Sequence, residues 1–168
     1  MSAVLNCNIT FIGGGNMAQA LIGGLLARGL PATGITVSDP VEKIRLLLAE
    51  KDVHTTDDNL AAIRDADIVL LAVKPQYLAN ILKALKGQLE GKLVISIVAG
   101  AEISTIAYVL ETERVVRVMP NTPALVQTGA HGLFAKEAVT LQDRELASQV
   151  MASTGLTIWV NSEAQIDA

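Results

Sequence analysis

The sequence NITFIGGGNMAQALIGGL, residues 8–25, holds an apolar run that three glycines interrupt before apolar residues resume at helical spacing. This pattern predicts a β-strand that turns directly onto an α-helix. In the G-x-G-x-x-A spacing, Gly13 permits a tight turn, Gly15 lets main chain approach phosphate oxygens, and Ala18 lets the helix lie close to the strand. The free N–H groups and the dipole at the start of such a helix favour an anion. We therefore predict a dinucleotide site, with Asn16 as the N-cap of the helix.

The composition limits the class of protein. The 168 residues are 51% hydrophobic and 18% charged, which predicts one globular domain with a large buried sheet. The net charge of -4 and the scarcity of aromatic residues argue against nucleic acid as a partner. No apolar stretch reaches the roughly 18 to 20 residues of a membrane span and no signal peptide is apparent, so we expect a cytoplasmic protein without a membrane partner. One cysteine and two histidines predict neither a disulfide nor a metal site.

Strands and helices alternate along the whole chain. Strands are predicted at 35–38, 53–55, 67–73, 93–98, 114–119, 130–135 and 156–160, and helices at 41–51, 57–65, 76–86, 103–110 and 140–153. The aliphatic runs at 67–73 and 93–98 are typical of strands that helices cover on both faces. The chain is therefore predicted to be an α/β protein with a doubly wound, mostly parallel sheet of the Rossmann type, residues 1–160 forming the dinucleotide-binding domain.

The helix at 76–86 has two sequence features of note. Its buried face is predicted to carry Tyr77, Ile81, Ala84 and Leu85. Gly87 follows the lysines of its last turn and predicts the point at which the helix ends.

Ligands of an open parallel sheet bind outside the carboxyl ends of its strands, so the residues that follow each strand are candidates for the site. These residues are mostly small, polar or proline. They are Gly13 to Ala18, then Ser38, Asp39 and Pro40, then Lys74, Pro75 and Gln76, then Ala99 and Gly100, and finally Pro120, Asn121, Thr122 and Pro123.

Two of these groups allow opposite interpretations. Asp39 lies where an acidic residue accepts hydrogen bonds from the ribose of NAD, and it is equally well explained as a turn or N-cap residue. Ser38, Lys43 and Arg45 could instead hold a 2'-phosphate, although a solvated helix face explains the two basic residues by themselves.

Two further groups point to the reacting end of a coenzyme. Lys74 either enters the cleft or extends into solvent. Pro120 and Pro123 exclude a regular helix around Asn121 and Thr122, which favours contacts of those two side chains with nicotinamide or substrate over a plain loop.

Three segments together resemble one family. FIGGGNMAQALIGGL at 11–25, AVKPQ at 72–76 and VRVMPNTPALVQTGA at 116–130 are similar to the N-terminal part of pyrroline-5-carboxylate reductase. The resemblance implies reduction of 1-pyrroline-5-carboxylate to L-proline with NADPH, the preferred coenzyme, or NADH. Pro40 replaces an arginine that many bacterial members carry, which leaves NADH open. The implied coenzyme-binding residues are Phe11, Ile12, Gly13, Gly14, Gly15, Asn16, Met17, Ala18, Ser38, Asp39, Pro40, Asn59, Ala72, Val73, Lys74, Pro75, Ile97, Val98 and Ala99.

The resemblance also implies parts of the enzyme that this chain lacks. Residues 161–168 would begin the connection to an all-helical domain that makes the homo-oligomer and holds the substrate, so we expect no catalytic residue here and little turnover by this chain alone. Glu163 matches a position near the family's substrate pocket, although its nearness to the chain end favours a disordered side chain. Alternatives are a stand-alone nucleotide-binding or redox-sensing module, and a beta-hydroxyacid or F420-dependent NADP reductase, whose first domains are similar.

Overall fold

The computed structural model describes residue 4 and residues 6–121 and 129–167. The strands are β1 (Ile9–Ile12), β2 (Ile35–Ser38), β3 (His54–Thr56), β4 (Ile68–Leu71), β5 (Leu93–Ser96), β6 (Val115–Met119), β7 (Gly129–Ala135) and β8 (Gly155–Trp159). The helices are α1 (Asn16–Ala27), α2 (Glu42–Ala49), α3 (Asn59–Ile63), α4 (Pro75–Leu85), α5 (Ile103–Leu110) and α6 (Leu141–Ala152), with short 3-10 helices at Ala32–Gly34 and Glu163–Asp167.

All eight strands form one sheet in the order β3-β2-β1-β4-β5-β6-β7-β8. The first six are parallel, and Ile12 of β1 pairs with Ser38 of β2 on one side and Leu71 of β4 on the other. The winding direction therefore reverses beside β1, which opens a crevice at the carboxyl ends of these strands. We use the term carboxyl edge for the side of the sheet at which the first six strands end. β7 is antiparallel to β6, and β8 is parallel to β7. The predicted doubly wound, mostly parallel sheet is confirmed.

Helices cover both faces of the sheet. α1, α2 and α6 pack on one face, and α3, α4 and α5 pack on the other. Every residue of β4 and β5 is buried, as predicted from their aliphatic sequences. The regular strands are shorter than the apolar runs, because the residues after Leu71 and Ser96 leave the sheet at its carboxyl edge.

The predicted face of α4 is buried only in part, since Leu85 is buried and Ile81 is half-buried against the core. Leu78, Leu82 and Leu85 are buried, whereas Tyr77 is 57% exposed and Ala84 is also exposed. Both sets of residues have helical spacing and share Leu85, and the face that carries the three leucines packs on the core. Gly87 follows α4 with a φ of 72°, a conformation that suits glycine and fits the predicted helix end.

Two findings concern only the described part of the chain. None of its helices has the length and apolar character to cross a bilayer. It also brings together no group of three or more His, Cys, Asp or Glu side chains that could hold a metal ion.

Candidate functional site

The three consecutive glycines after β1 have three different environments. Gly13 has a φ of 101°, and a Cβ there would lie 2.5 Å from the backbone oxygen of Ala72. Gly14 faces α2, where a Cβ would lie 2.9 Å from side-chain carbons of both Ile44 and Leu48. A Cβ on Gly15 would meet no atom of the described residues within 4 Å. The first two glycines are therefore needed for close packing within the fold, and the open side of Gly15 leaves room for a ligand.

The amino-terminal end of α1 is suited to bind an anion. The predicted N-cap is wrong by one residue: α1 begins at Asn16, and Gly15 occupies the cap in an extended conformation. No side chain of the described residues caps this helix, and its first turn contains no acidic residue. The first N–H groups of a helix have no partner within it, so those of α1 can bind an anion. Ala18 is 1% exposed and lets α1 pack closely on the sheet, as predicted.

Asp39 follows β2 and turns its carboxylate into the protein. Its Oδ2 accepts the backbone N–H of Gly14 at 2.9 Å, and its Oδ1 accepts that of Val41 at 2.8 Å. The residue is 8% exposed. The turn interpretation therefore has direct geometric support, since both carboxylate oxygens already hold backbone groups.

The residues next to Asp39 form further hydrogen bonds around the same turn. The Ser38 hydroxyl donates to Oδ1 of Asn59, the first residue of α3, at 2.6 Å. Arg45 donates from Nη1 to the backbone oxygen of Asp39 at 2.8 Å. Pro40 and Lys43 are exposed. The structure therefore joins Ser38, Asn59 and Arg45 around one turn.

The segments that follow β4 and β5 continue this edge. The N–H of Ala72 donates to the oxygen of Ile12 at 2.8 Å, and that of Ile97 donates to the oxygen of Leu71 at 3.1 Å. Val98 is buried, Val73 is half-buried and Ala99 is exposed. Lys74 is the exposed N-cap of α4, and Pro75 is the first residue of that helix. The predicted residues after β1, β4 and β5 therefore lie side by side.

The segment after β6 is described only at its start. Pro120 is half-buried, and Oδ1 of exposed Asn121 accepts the N–H of Ala130 at 3.1 Å. Thr122 and Pro123 lie outside the described residues.

Arg117 in β6 is a residue that the sequence analysis missed. It is 1% exposed and pairs with Glu163 at 3.1 Å and with Asp167 at 2.6 Å. Glu163 also accepts the N–H of Ile103 at 2.7 Å. The expectation of a disordered Glu163 is wrong, because a buried guanidinium needs anionic partners and fixes them. The arginine within the apolar segment VVRVM was the available signal.

Two cavities lie away from this site. One of about 440 Å³ borders the ends of β7 and β8, and one of about 190 Å³ borders the starts of β1, β2 and β3. Both are at the side of the sheet opposite the carboxyl edge, so neither one is the predicted coenzyme site.

Comparison with known proteins agrees with this geometry. Residues 8–100, which contain the glycine loop, Asp39 and the ends of β4 and β5, match the family described as NADP oxidoreductase coenzyme F420-dependent. The chain belongs to this family. Within it, the match ends shortly before α5, so the Arg117 cluster lies outside the matched region.

This member of the NADP oxidoreductase family has close relatives under one name. It is 46% identical over 162 residues to a pyrroline-5-carboxylate reductase of Haemophilus influenzae and 44% identical over 163 residues to that of Pseudomonas aeruginosa, in each case over 95% of this chain and 60% of the relative. The predicted resemblance is confirmed. The chain spans about 60% of the length of these curated relatives.

Solved structures give the same result. A pyrroline-5-carboxylate reductase from Coxiella burnetii superposes with a TM-score of 0.91 at 43% identity, over 95% of this chain and 61% of that one. The Plasmodium falciparum enzyme, solved with NADP bound, superposes with a TM-score of 0.84 at 26% identity, over 95% of this chain and 60% of that one.

Proposed function

We propose that this chain is the coenzyme-binding half of a reductase that converts 1-pyrroline-5-carboxylate to L-proline with NADPH or NADH. The observation that carries the proposal is the unfilled space beside Gly15 at the uncapped start of α1, in a chain whose relatives bear that enzyme name. Residues 1–160 form the coenzyme-binding domain, and 161–168 begin a connection to a helical domain. The homo-oligomer and the cytoplasmic location predicted above belong to the same proposal.

The residues of the carboxyl edge fit a dinucleotide in extended form. The pyrophosphate belongs at the N–H groups of Gly15 and Asn16, where the helix dipole favours negative charge. The adenosine ribose belongs beside Ser38, Pro40 and Asn59. The nicotinamide half belongs along the segments after β4 and β5, from Ala72 to Pro75 and from Ile97 to Ala99. Asn121 lies at the same edge, next to the place for substrate.

The main contribution of this chain to the reaction is to position the coenzyme. Bound NADPH or NADH would supply a hydride to the carbon of the imine, which is a good electrophile once its nitrogen is protonated. The residues above hold the coenzyme in one orientation, and such positioning lowers the barrier by reducing the entropy lost on reaction. We place the substrate carboxylate site and the proton donor in the part of the relatives that this chain does not match.

The proposal predicts a coenzyme preference. The N–H groups of Gly14 and Val41 offset part of the negative charge of Asp39, and the guanidinium of Arg45 lies at the same turn, where it offers a cation to a 2'-phosphate. We expect NADPH to bind more tightly than NADH. Arg45→Met should weaken NADPH about fivefold to tenfold, the effect of one ion pair of about 1 kcal/mol or more, and leave NADH unchanged. Lys43→Met, on the exposed part of α2, is the matched control and should change neither affinity.

The decisive experiment concerns Gly15. Gly15→Ala should leave the melting temperature nearly unchanged, because the added methyl group meets no atom within 4 Å in the part of the chain that the structure describes. The same methyl group should obstruct the pyrophosphate and weaken NADPH by about tenfold or more in a fluorescence titration. Gly23→Ala is the control, since Gly23 lies in the helix that Gly15 caps and an added Cβ there also meets no atom of the described residues within 4 Å. Equal NADPH affinity in Gly15→Ala and the unaltered chain would contradict the proposed site.

Turnover separates this proposal from its alternatives. The longer protein that contains this chain should oxidise NADPH when given 1-pyrroline-5-carboxylate, whereas this chain by itself should bind NADPH with little turnover. The family description favours one competing function, transfer of hydride between coenzyme F420 and NADP. Reduction of NADP by reduced F420, with no reaction toward the imine, would establish that alternative.

A further inference from the structure

One carboxylate joins three segments that are distant in sequence. Oε2 of Glu163 accepts the N–H of Ile103 at 2.7 Å and a hydrogen bond from Nη1 of Arg117 at 3.1 Å. Asp167 accepts two further hydrogen bonds from that guanidinium, from Nη2 at 2.6 Å and from Nη1 at 3.3 Å. The 3-10 helix Glu163–Asp167 is thus tied to β6 and to the first residue of α5.

The segments tied by Glu163 both reach the nicotinamide side of the proposed site. Ile103 follows the loop that leaves β5 and contains Ala99, and Arg117 precedes the end of β6 by two residues. A shift of α5 or of β6 would therefore move the loop that lines the nicotinamide or the start of the segment at Asn121. The adenosine side, around Ser38 and Asn59, has no direct contact with Glu163 among the hydrogen bonds of the described residues.

The hydrogen bond from Ile103 to Glu163 also distinguishes the start of α5 from the start of α1. The start of α1 has no side-chain cap, whereas the N–H of Ile103 at the start of α5 is already bound by a carboxylate. A helix start that holds a carboxylate does not attract a second anion. Glu163 therefore makes the start of α5 an unfavourable place for the pyrophosphate.

We propose that Glu163 is a positioning residue for the nicotinamide half of the coenzyme. It acts through Ile103 and Arg117 and does not touch the coenzyme. This inference rests on the coenzyme site proposed above.

The test compares a whole coenzyme with its adenosine half. Dissociation constants for NADPH and for adenosine 2',5'-bisphosphate are measured by calorimetry on this chain and on Glu163→Gln. We expect NADPH binding to weaken about fivefold, and adenosine 2',5'-bisphosphate binding to stay the same within about a factor of two. Glu163→Asp keeps the charge with a shorter reach and should recover part of the NADPH affinity. Exchange of the Ile103 amide with deuterium should become faster in Glu163→Gln.

A control variant separates positioning from loss of stability. Asp143→Asn removes a carboxylate that is 5% exposed and pairs with Arg114 at 2.9 Å, just before β6 at the opposite side of the sheet. It should lower the melting temperature without changing either dissociation constant. Equal weakening of both ligands by Glu163→Gln, or weakening of neither, would overturn the positioning role. If the unaltered chain bound neither ligand, the proposed coenzyme site would fail first and this inference with it.

Discussion

Replacing Asp39 by asparagine tests whether its carboxylate supports the glycine loop or binds the ribose. The carboxylate accepts the N–H of Gly14 at 2.9 Å and that of Val41 at 2.8 Å. Each hydrogen bond to a charged group contributes about 1.5 to 3 kcal/mol. Asparagine keeps one acceptor oxygen and turns an NH₂ group toward the second donor, so one of the two bonds is lost. We therefore expect Asp39→Asn to cost about 2 kcal/mol of unfolding free energy.

This cost is large enough to measure by thermal unfolding. For a domain of 168 residues, 1 kcal/mol corresponds to about 2 to 4 °C, so the melting temperature should fall by about 4 to 8 °C. Circular dichroism can follow the transition. Asp57→Asn is the matched control, because Asp57 is an exposed acid that follows the neighbouring strand β3. That variant should melt within about 1 °C of the unaltered chain.

Coenzyme titrations then distinguish the two interpretations of Asp39. If the carboxylate supports the loop, Asp39→Asn weakens NADPH and NADH by similar factors, because the same pyrophosphate site is displaced. If the carboxylate binds the ribose, the substitution weakens NADH and strengthens NADPH, since a negative charge beside the 2'-phosphate is removed. Opposite changes in the two affinities with an unaltered melting temperature would refute the reasoning from these hydrogen bonds.

Three other substitutions or conditions give independent tests. Gly24→Ala should destabilise the fold by about 1 to 3 kcal/mol in urea unfolding, because its Cβ would collide with the backbone oxygen of Ser153; equal stability would show that α1 can shift there. His131 is buried, and desolvation lowers its pKa. As the pH falls, the unfolded state therefore takes up a proton before the folded state does, and the free energy of unfolding should decrease below about pH 6.5. The dependence of this free energy on pH should be weaker in His131→Gln. Thr140→Ala should cost about 1 kcal/mol, because the Thr140 hydroxyl caps α6, whereas Thr140→Ser should cost less; an unaltered melting temperature in Thr140→Ala would refute the cap.

The fold was predictable because local pattern and topology agree. Buried parallel strands such as β4 need continuous apolar sequence, and the glycine loop fixes where the first strand meets its helix. The face of α4 was not predictable from spacing, since two apolar stripes lie one residue apart on that helix. Their relative burial depends on the sheet beneath them, which the sequence of the helix does not contain.

The site was predictable in its residues and less so in their roles. Because Asp39 follows β2 in the sequence, it was correctly predicted to lie at the carboxyl edge. The sequence could not show whether its carboxylate points toward a ligand or toward Gly14. Glu163 shows a second limit, because its partners Arg117 and Ile103 are 46 and 60 residues away. Hydrogen bonds over such separations are set by the folded topology and have no local sequence pattern.

The acidic residues of the carboxyl edge explain how a chain of net charge -4 can offer a site to a coenzyme that is itself anionic. Asp39 binds two backbone N–H groups, Asp58 caps α3 through the N–H of Ala61, and Glu163 binds the start of α5 together with a buried arginine. Each of these charges is compensated by donors of the protein, and none of the three carboxylates accepts an N–H of the first turn of α1. Exposed acids such as Asp57 are screened by water and salt, so they oppose a bound phosphate weakly. The first N–H groups of α1 are therefore left for an anion, and Asp39→Asn and Glu163→Gln test two of these carboxylates directly.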